Sequence, residues 1–300
     1  MSTVKGIVPP MITPLMDEDK LDYKGLENLI EHLISGGVHG LFILGTTGEG
    51  PSLTHALRAD LIQYVCERVN GRIPVLVGIT DSSFKEAVYI SDKSKEFGAQ
   101  AVVLAPPFYY QIDQTELYSF TEQLIGEISL PVYLYNNPGL TKVAFEFETI
   151  RKLLSKPEII GLKDSSGDMV YFHRILKLAK ESNVPLFIGP EELFMESMVM
   201  GGNGGVSGGA NIFPRLYVDI YESVKAGDLN KAHELHKQVM ELCETVYSGG
   251  GSGSVINGIK CALKYMNILS SDYMAKPLHK ANNDKNEKIR QYLINQKIYI

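Results

Sequence analysis

Ile159-Ile160-Gly161-Leu162-Lys163-Asp164 is an apolar run closed by two charges, and Ser165-Ser166-Gly167 follows it before a helical pattern begins. The run does not alternate apolar with polar residues, so a strand made from it is covered on both faces, as in a parallel sheet. Seven more short apolar runs of this kind punctuate the chain, at Gly6–Thr13, Val38–Gly45, Pro74–Ile79, Ala101–Pro107, Pro131–Asn136, Pro185–Gly189 and Gly204–Ala210. Between them lie amphipathic segments such as Tyr23–Ile34, with apolar residues at three- and four-residue steps. The second helix has a start signal at Ser52 or Thr54, and the sixth begins after Gly167. Eight strand–helix units in α/β alternation predict a (β/α)8 TIM barrel over residues 1–228, close to the usual size of about 250 residues. An open doubly wound sheet is the alternative, but neither GxGxxG nor GxxxxGK[ST] occurs.

Residues 229–300 read as a C-terminal helical extension, with helices expected at Asn230–Tyr247, Val255–Leu269 and Asp284–Gln296. Ser248-Gly249-Gly250-Gly251-Ser252-Gly253-Ser254 could pass for a linker. Strong helix patterns flank it closely, so it is expected to be a loop within the extension and residues 1–300 to form a single domain.

Composition narrows the function classes. The 300 residues are 44% hydrophobic and 21% charged, with a net charge of −6. That balance suits a globular chain and argues against nucleic acid, which favours a basic stripe. No run has the apolar length of a membrane span, and Met1–Gly6 has no charged region leading into an apolar one. A cytoplasmic protein without a membrane partner is the expectation. Cys66, Cys243 and Cys261 lack CxxC or zinc-ribbon spacing and are expected to be reduced and mostly buried. His233 and His236 have no third ligand in view and are expected on a solvated helix face, so no metal and no cofactor are expected.

In barrels of this type the reacting groups come from the C-terminal ends of strands. Lys163 is the odd residue there. A barrel interior has little use for a charge, and desolvation would lower the amine's pKa and make it a nucleophile toward carbonyls. It could instead snorkel to solvent or pair with Asp164. Tyr135 also ends a strand, where a phenol can relay protons or simply pack. Thr46-Thr47-Gly48 offers hydroxyls and backbone N–H groups as a carboxylate cradle, or is an ordinary strand-to-helix turn.

Together, Gly45-Thr46-Thr47-Gly48-Glu49, Tyr135-Asn136-Asn137-Pro138 and Gly161-Leu162-Lys163-Asp164 make the chain resemble the family of dihydrodipicolinate synthase and N-acetylneuraminate lyase, the class I pyruvate-dependent aldolases. The resemblance runs from Gly6 to the helical extension. It implies that Lys163 forms an imine with pyruvate or a 2-keto acid and that Tyr135 is the acid/base. Thr46 and Thr47 would bind the keto-acid carboxylate, with Glu49 bracing their loop. Tyr109 would reach into a neighbouring subunit's site to complete a hydroxyl relay, in a homotetramer built as a dimer of dimers. Gly189 and the backbone of Val206 and Ser207 would line the pocket opposite the lysine.

Departures within the family direct the choice of reaction. Leu140 stands where dihydrodipicolinate synthases place an arginine for a semialdehyde carboxylate, and a guanidinium is not replaced conservatively there. Gly189-Pro190-Glu191-Glu192 resembles the sialic acid lyases, in which an acidic pair binds the sugar's hydroxyl tail, although Glu191 replaces their aspartate and Gly208 their serine. Lys163–Asp168 and Val206–Asn211 are similar to 2-keto-3-deoxy sugar acid and hydroxyoxoglutarate aldolases. The expected activity is reversible cleavage of a hydroxylated 2-keto acid into pyruvate and an aldehyde. The alternative is dihydrodipicolinate synthase, followed by a sugar-acid dehydratase or a non-catalytic keto-acid sensor.

Overall fold

The computed structural model describes residues 3–298; Met1 and Ser2, part of the segment read against a leader peptide, lie outside the described residues. Eight strands form one sheet: β1 (Gly6–Ile7), β2 (Leu41–Ile43), β3 (Val75–Gly78), β4 (Ala101–Leu104), β5 (Val132–Asn136), β6 (Ile159–Asp164), β7 (Leu186–Ile188) and β8 (Gly204–Gly205). Their order is β1-β8-β7-β6-β5-β4-β3-β2, and every pair is parallel. The sheet is curled, and the chain around β1 also bonds to the chain around β2. His39 N–H donates to the Ile7 carbonyl (2.8 Å), Phe42 N–H to Pro9 (3.0 Å), and Met11 N–H to Phe42 (2.9 Å). A further parallel bridge joins Pro10 and Phe42.

The regular strands are shorter than the apolar runs. The first run stops pairing regularly after Ile7 because Pro9 and Pro10 have no N–H to give to a ladder. The last turns into a 3-10 helix at Gly208–Asn211.

Helices on the outside are α1 (Tyr23–Ser35), α2 (His55–Val69), α3 (Phe84–Glu96), α4 (Gln114–Glu127), α5 (Phe147–Leu153), α6 (Met169–Glu181), α7 (Phe194–Val199) and α8 (Pro214–Ala226). Of the two expected start signals, Thr54 caps α2, its hydroxyl accepting the Leu57 N–H (3.2 Å). Asp168 caps α6, accepting from Val170 (2.8 Å) and Tyr171 (3.0 Å).

Strand side chains divide into two packed groups, as a two-residue period requires. Val8, Phe42, Leu76, Val103, Tyr133, Tyr135, Phe187 and Val206 pack together on one face of the sheet. Ile43, Val77, Leu134, Leu162 and Ile188 pack with the helices on the other. Both faces being buried explains the unbroken apolar runs. Gly161 belongs to this packing, because a Cβ there would strike the ring of Tyr133.

The extension is α9 (Leu229–Val246), α10 (Ser252–Tyr265) and α11 (Asn283–Asn295). The glycine segment is a loop, as expected, with Gly249, Gly250 and Gly251 all at positive φ (112°, 75° and 77°). Lys285 of α11 anchors it by donating to the Ser248 and Ser254 carbonyls (2.8 and 2.7 Å). His233 is exposed, but His236 is buried, against expectation. Its Nε2 lies 3.1 Å from the Glu192 carbonyl, so α9 turns this imidazole toward the end of β7 instead of toward solvent. Cys66 and Cys261 are buried, Cys243 is half-buried, and all three are free. Among the described residues no helix is long and apolar enough to cross a membrane, and no cluster of His, Cys, Asp and Glu could hold a metal.

Candidate active site

The register between β5 and β6 places Tyr135 beside Lys163, and that between β6 and β7 places Lys163 beside Phe187. All three side chains point to the inner face of the sheet. Lys163 is 7% exposed, and its Nζ lies 4.0 Å from the centre of the Tyr135 ring and 5.1 Å from that of Phe42. Of the three readings open from sequence, snorkelling and pairing with Asp164 both fail. Asp164 is fully buried and spends its carboxylate on Asn136 Nδ2 (2.8 Å), Ser166 N–H (3.2 Å) and Ser166 Oγ (2.9 Å).

Burial therefore acts on an amine that has aromatic faces for neighbours, and it lowers the Lys163 pKa. Burial would raise the Tyr135 phenol, but the Lys163 charge and the Ser165 and Thr46 hydroxyls outweigh it and hold the phenol below its ordinary value. Asn137 Nδ2 also donates to the phenol oxygen (2.8 Å). The amine and the phenol thus stand side by side, a group that can attack a carbonyl next to one that can donate and accept a proton.

A cavity of about 400 Å³ opens over this pair. Thr46 and Thr47, after β2, form part of its wall, as do Ser165 after β6 and Gly189, Glu191 and Glu192 after β7. Val206 and Gly208 complete the side beyond β8. Ser207 is not in the lining; it is fully buried between them. Leu140, 44% exposed, stands at the rim. On the other side of Thr46 and Tyr135 lies an apolar recess of about 300 Å³, walled by Phe42, Val103 and Phe108 among others. Tyr109 is 89% exposed, stacked edge-on against Tyr110, and stays outside the cavity of its own chain.

The acidic pair splits into two unlike groups. Glu192 is exposed at the cavity. Glu191 is buried and accepts from the Tyr217 hydroxyl, the Tyr247 hydroxyl (2.6 Å) and the Gly209 N–H (3.1 and 3.2 Å to its two oxygens). Burial pushes its pKa up to about 7 against the pull of these donors. It caps no helix.

Sequence reading missed the contribution of the extension. Tyr247, Val255 and Ile256 line the cavity, flanking the glycine loop. Lys260, in the otherwise apolar stretch Ile259–Leu263, was the available signal, since a buried lysine needs a partner. The partner is Glu49, with both side chains fully buried. A slightly larger cleft of about 420 Å³ lies between α1, α8 and α11, but its Arg215 is engaged by Asp219 (2.6 Å) and no reactive set converges there.

Comparison with known proteins bears on the chain as a whole. A solved dihydrodipicolinate synthase from Bacteroides thetaiotaomicron is 45% identical, with a TM-score of 0.94, covering 98% of this chain and 100% of that one. The E. coli K12 protein YagE, of the dihydrodipicolinic acid synthase family and solved in complex with pyruvate, is 26% identical with a TM-score of 0.92, covering 98% and 99%. A probable 2-dehydro-3-deoxy-D-pentonate aldolase of E. coli K12, YjhH, is 30% identical over 301 residues, 99% of each chain. The model of the dihydrodipicolinate synthetase family matches residues 3–296, and the chain belongs to that family of pyruvate-dependent class I aldolases and lyases.

Proposed function

We propose that this chain is an aldolase that reversibly cleaves a hydroxylated 2-keto acid, of the 2-keto-3-deoxy sugar acid or sialic acid type, into pyruvate and an aldehyde. The observation that carries the reading is the Lys163 amine, buried beside the Tyr135 phenol at the floor of a cavity. The neutral amine attacks the C2 carbonyl, and the carbinolamine loses water to form the imine, Tyr135 returning the proton that leaves with the hydroxyl. Removal of the C4 hydroxyl proton then breaks the C3–C4 bond. The electron pair moves into the imine as an enamine, and the aldehyde departs. Protonation at C3 and hydrolysis release pyruvate and restore the lysine.

Thr46 and Thr47 receive the keto-acid carboxylate, while Gly189, Val206 and the Ser207 backbone support the opposite wall. Glu192 faces the aldehyde half, and Glu191 supports it through Tyr247. Tyr109, exposed on its own chain, completes the hydroxyl relay in a neighbouring subunit of a homotetramer. The bonds between residues 7–11 and 39–42 support closure of the sheet into a (β/α)8 barrel over 1–228, in one domain with the extension. A cytoplasmic location without a membrane partner belongs to this reading, and the net charge of −6 speaks against a nucleic-acid partner.

Dihydrodipicolinate synthase is the second reading, favoured by the 45% identity to a protein of that name. Leu140 at the rim speaks against it, because it offers a semialdehyde carboxylate no guanidinium. Supplying pyruvate with N-acetylmannosamine, glyceraldehyde, glyoxylate or aspartate semialdehyde separates the readings. Condensation with a hydroxylated aldehyde is expected; turnover confined to aspartate semialdehyde overturns the proposal. A sugar-acid dehydratase would leave the carbon chain intact, and a keto-acid sensor would turn over none of the four.

A further inference from the structure

The turn that carries Thr46 and Thr47 is held in an unusual way. Leu44 and Glu49, at its two ends, are both in the left-handed region (φ 57° and 55°), which non-glycine residues occupy only when their surroundings enforce it. Inside the turn, Glu49 N–H donates to the Thr46 carbonyl (3.0 Å) and Gly50 N–H to Gly45 (3.2 Å). Thr13 Oγ1 clamps it from the β1 side, donating to the Gly48 carbonyl (2.6 Å).

The remaining hold comes from far along the chain. The Glu49 side chain runs into the interior and pairs with Lys260 of α10, each 0% exposed. Its Oε1 accepts the Ala275 N–H (2.8 Å), and Lys260 Nζ also donates to the Tyr273 carbonyl (2.7 Å). Ile256, one helical turn before Lys260 on the same face, lines the cavity. One face of α10 thus touches the cavity and the back of the turn together.

A fully buried ion pair is a poor device for stability, because desolvation offsets the attraction and an apolar pair of similar volume often serves as well. An apolar pair cannot fix direction. The ammonium and carboxylate, each with a second backbone partner, hold Glu49 in its left-handed conformation and so aim the Thr46–Thr47 segment.

We propose that Lys260 is a positioning residue for keto-acid binding, acting through Glu49 to hold the Thr46–Thr47 turn in the shape that receives the carboxylate. This rests on the aldolase reading above. It makes the C-terminal extension a working part of the site.

The test is borohydride trapping on Lys163 in Glu49→Met/Lys260→Met, titrated with pyruvate and separately with hydroxyacetone, which keeps the reacting carbonyl and lacks the carboxylate. A displacement of about 1 Å in a positioned group is worth up to ~100-fold. Half-saturation by pyruvate is expected to rise ~30-fold or more, with hydroxyacetone changed less than about 3-fold. An unchanged pyruvate titration, or equal losses for both probes, overturns the proposal. If the double variant does not fold, the same comparison is made on Glu49→Gln, which keeps an acceptor for Ala275, with the same criteria. Wild-type protein labelled by neither probe would instead overturn the aldolase reading.

Discussion

Replacing Glu191 with glutamine should remove a defined part of the protein's pH-dependent stability. Glu191 is buried against Tyr217 and Tyr247, with a folded-state pKa of about 7 against an ordinary 4.5. Folding therefore favours its protonated form. The stability it confers is complete below 4.5 and is lost as pH rises to about 7, about 3 kcal/mol in all. Most of that change, roughly 2 kcal/mol, falls between about pH 5 and pH 8, or ~4 °C in thermal midpoint for a chain of this size. Glutamine cannot titrate, so the assay is the midpoint of Glu191→Gln and wild type across that range in matched buffers. The gap between them should shift by ~4 °C in the variant's favour toward high pH. Asp164 and Glu49, also raised by burial, contribute pH dependence of the same sign, but they do so in both proteins and cancel in the comparison. Parallel curves would refute the reasoning, because they would mean that Glu191 is ionised throughout.

Tyr135→Phe removes the phenol and keeps the ring that covers Lys163, so steady-state kinetics should show kcat reduced ~100-fold or more with KM little changed. Leu140→Arg puts a guanidinium at the cavity rim, and the turnover ratio of aspartate semialdehyde to glyceraldehyde should rise ~10-fold or more; an unchanged ratio would show that this position does not meet the aldehyde. Phe172, fully buried on α6, lies away from the cavity lining; Phe172→Ala should lose ~3–5 kcal/mol in denaturant unfolding while the folded fraction keeps its kcat.

What was legible in the sequence followed from local rules. Runs such as Ala101–Leu104 lack alternation because one set of side chains meets the helices and the other fills the inner face. Lys163 stood out for the same reason, as a charge closing such a run, and the parallel register then sets Tyr135 beside it. Distant pairings left no comparable trace. Glu191 looked like a group for substrate, yet its partners Tyr217 and Tyr247 come from 26 and 56 residues later and take up its acceptors. His236 looked solvated because its partner is a backbone carbonyl 44 residues earlier. The glycine segment read as a loop within the extension, and it is one, but its place at the site left no local signal. The residues flanking it, Tyr247, Val255 and Ile256, form a wall of the cavity.

Every step of the proposed reaction passes through Lys163 as the nucleophile, and borohydride reduction in the presence of pyruvate captures that bond. Peptide mapping should find the reduced pyruvate adduct on Lys163 in the wild-type protein and no adduct in Lys163→Met. An adduct on another lysine, or none under conditions where pyruvate is turned over, would contradict the proposed reaction.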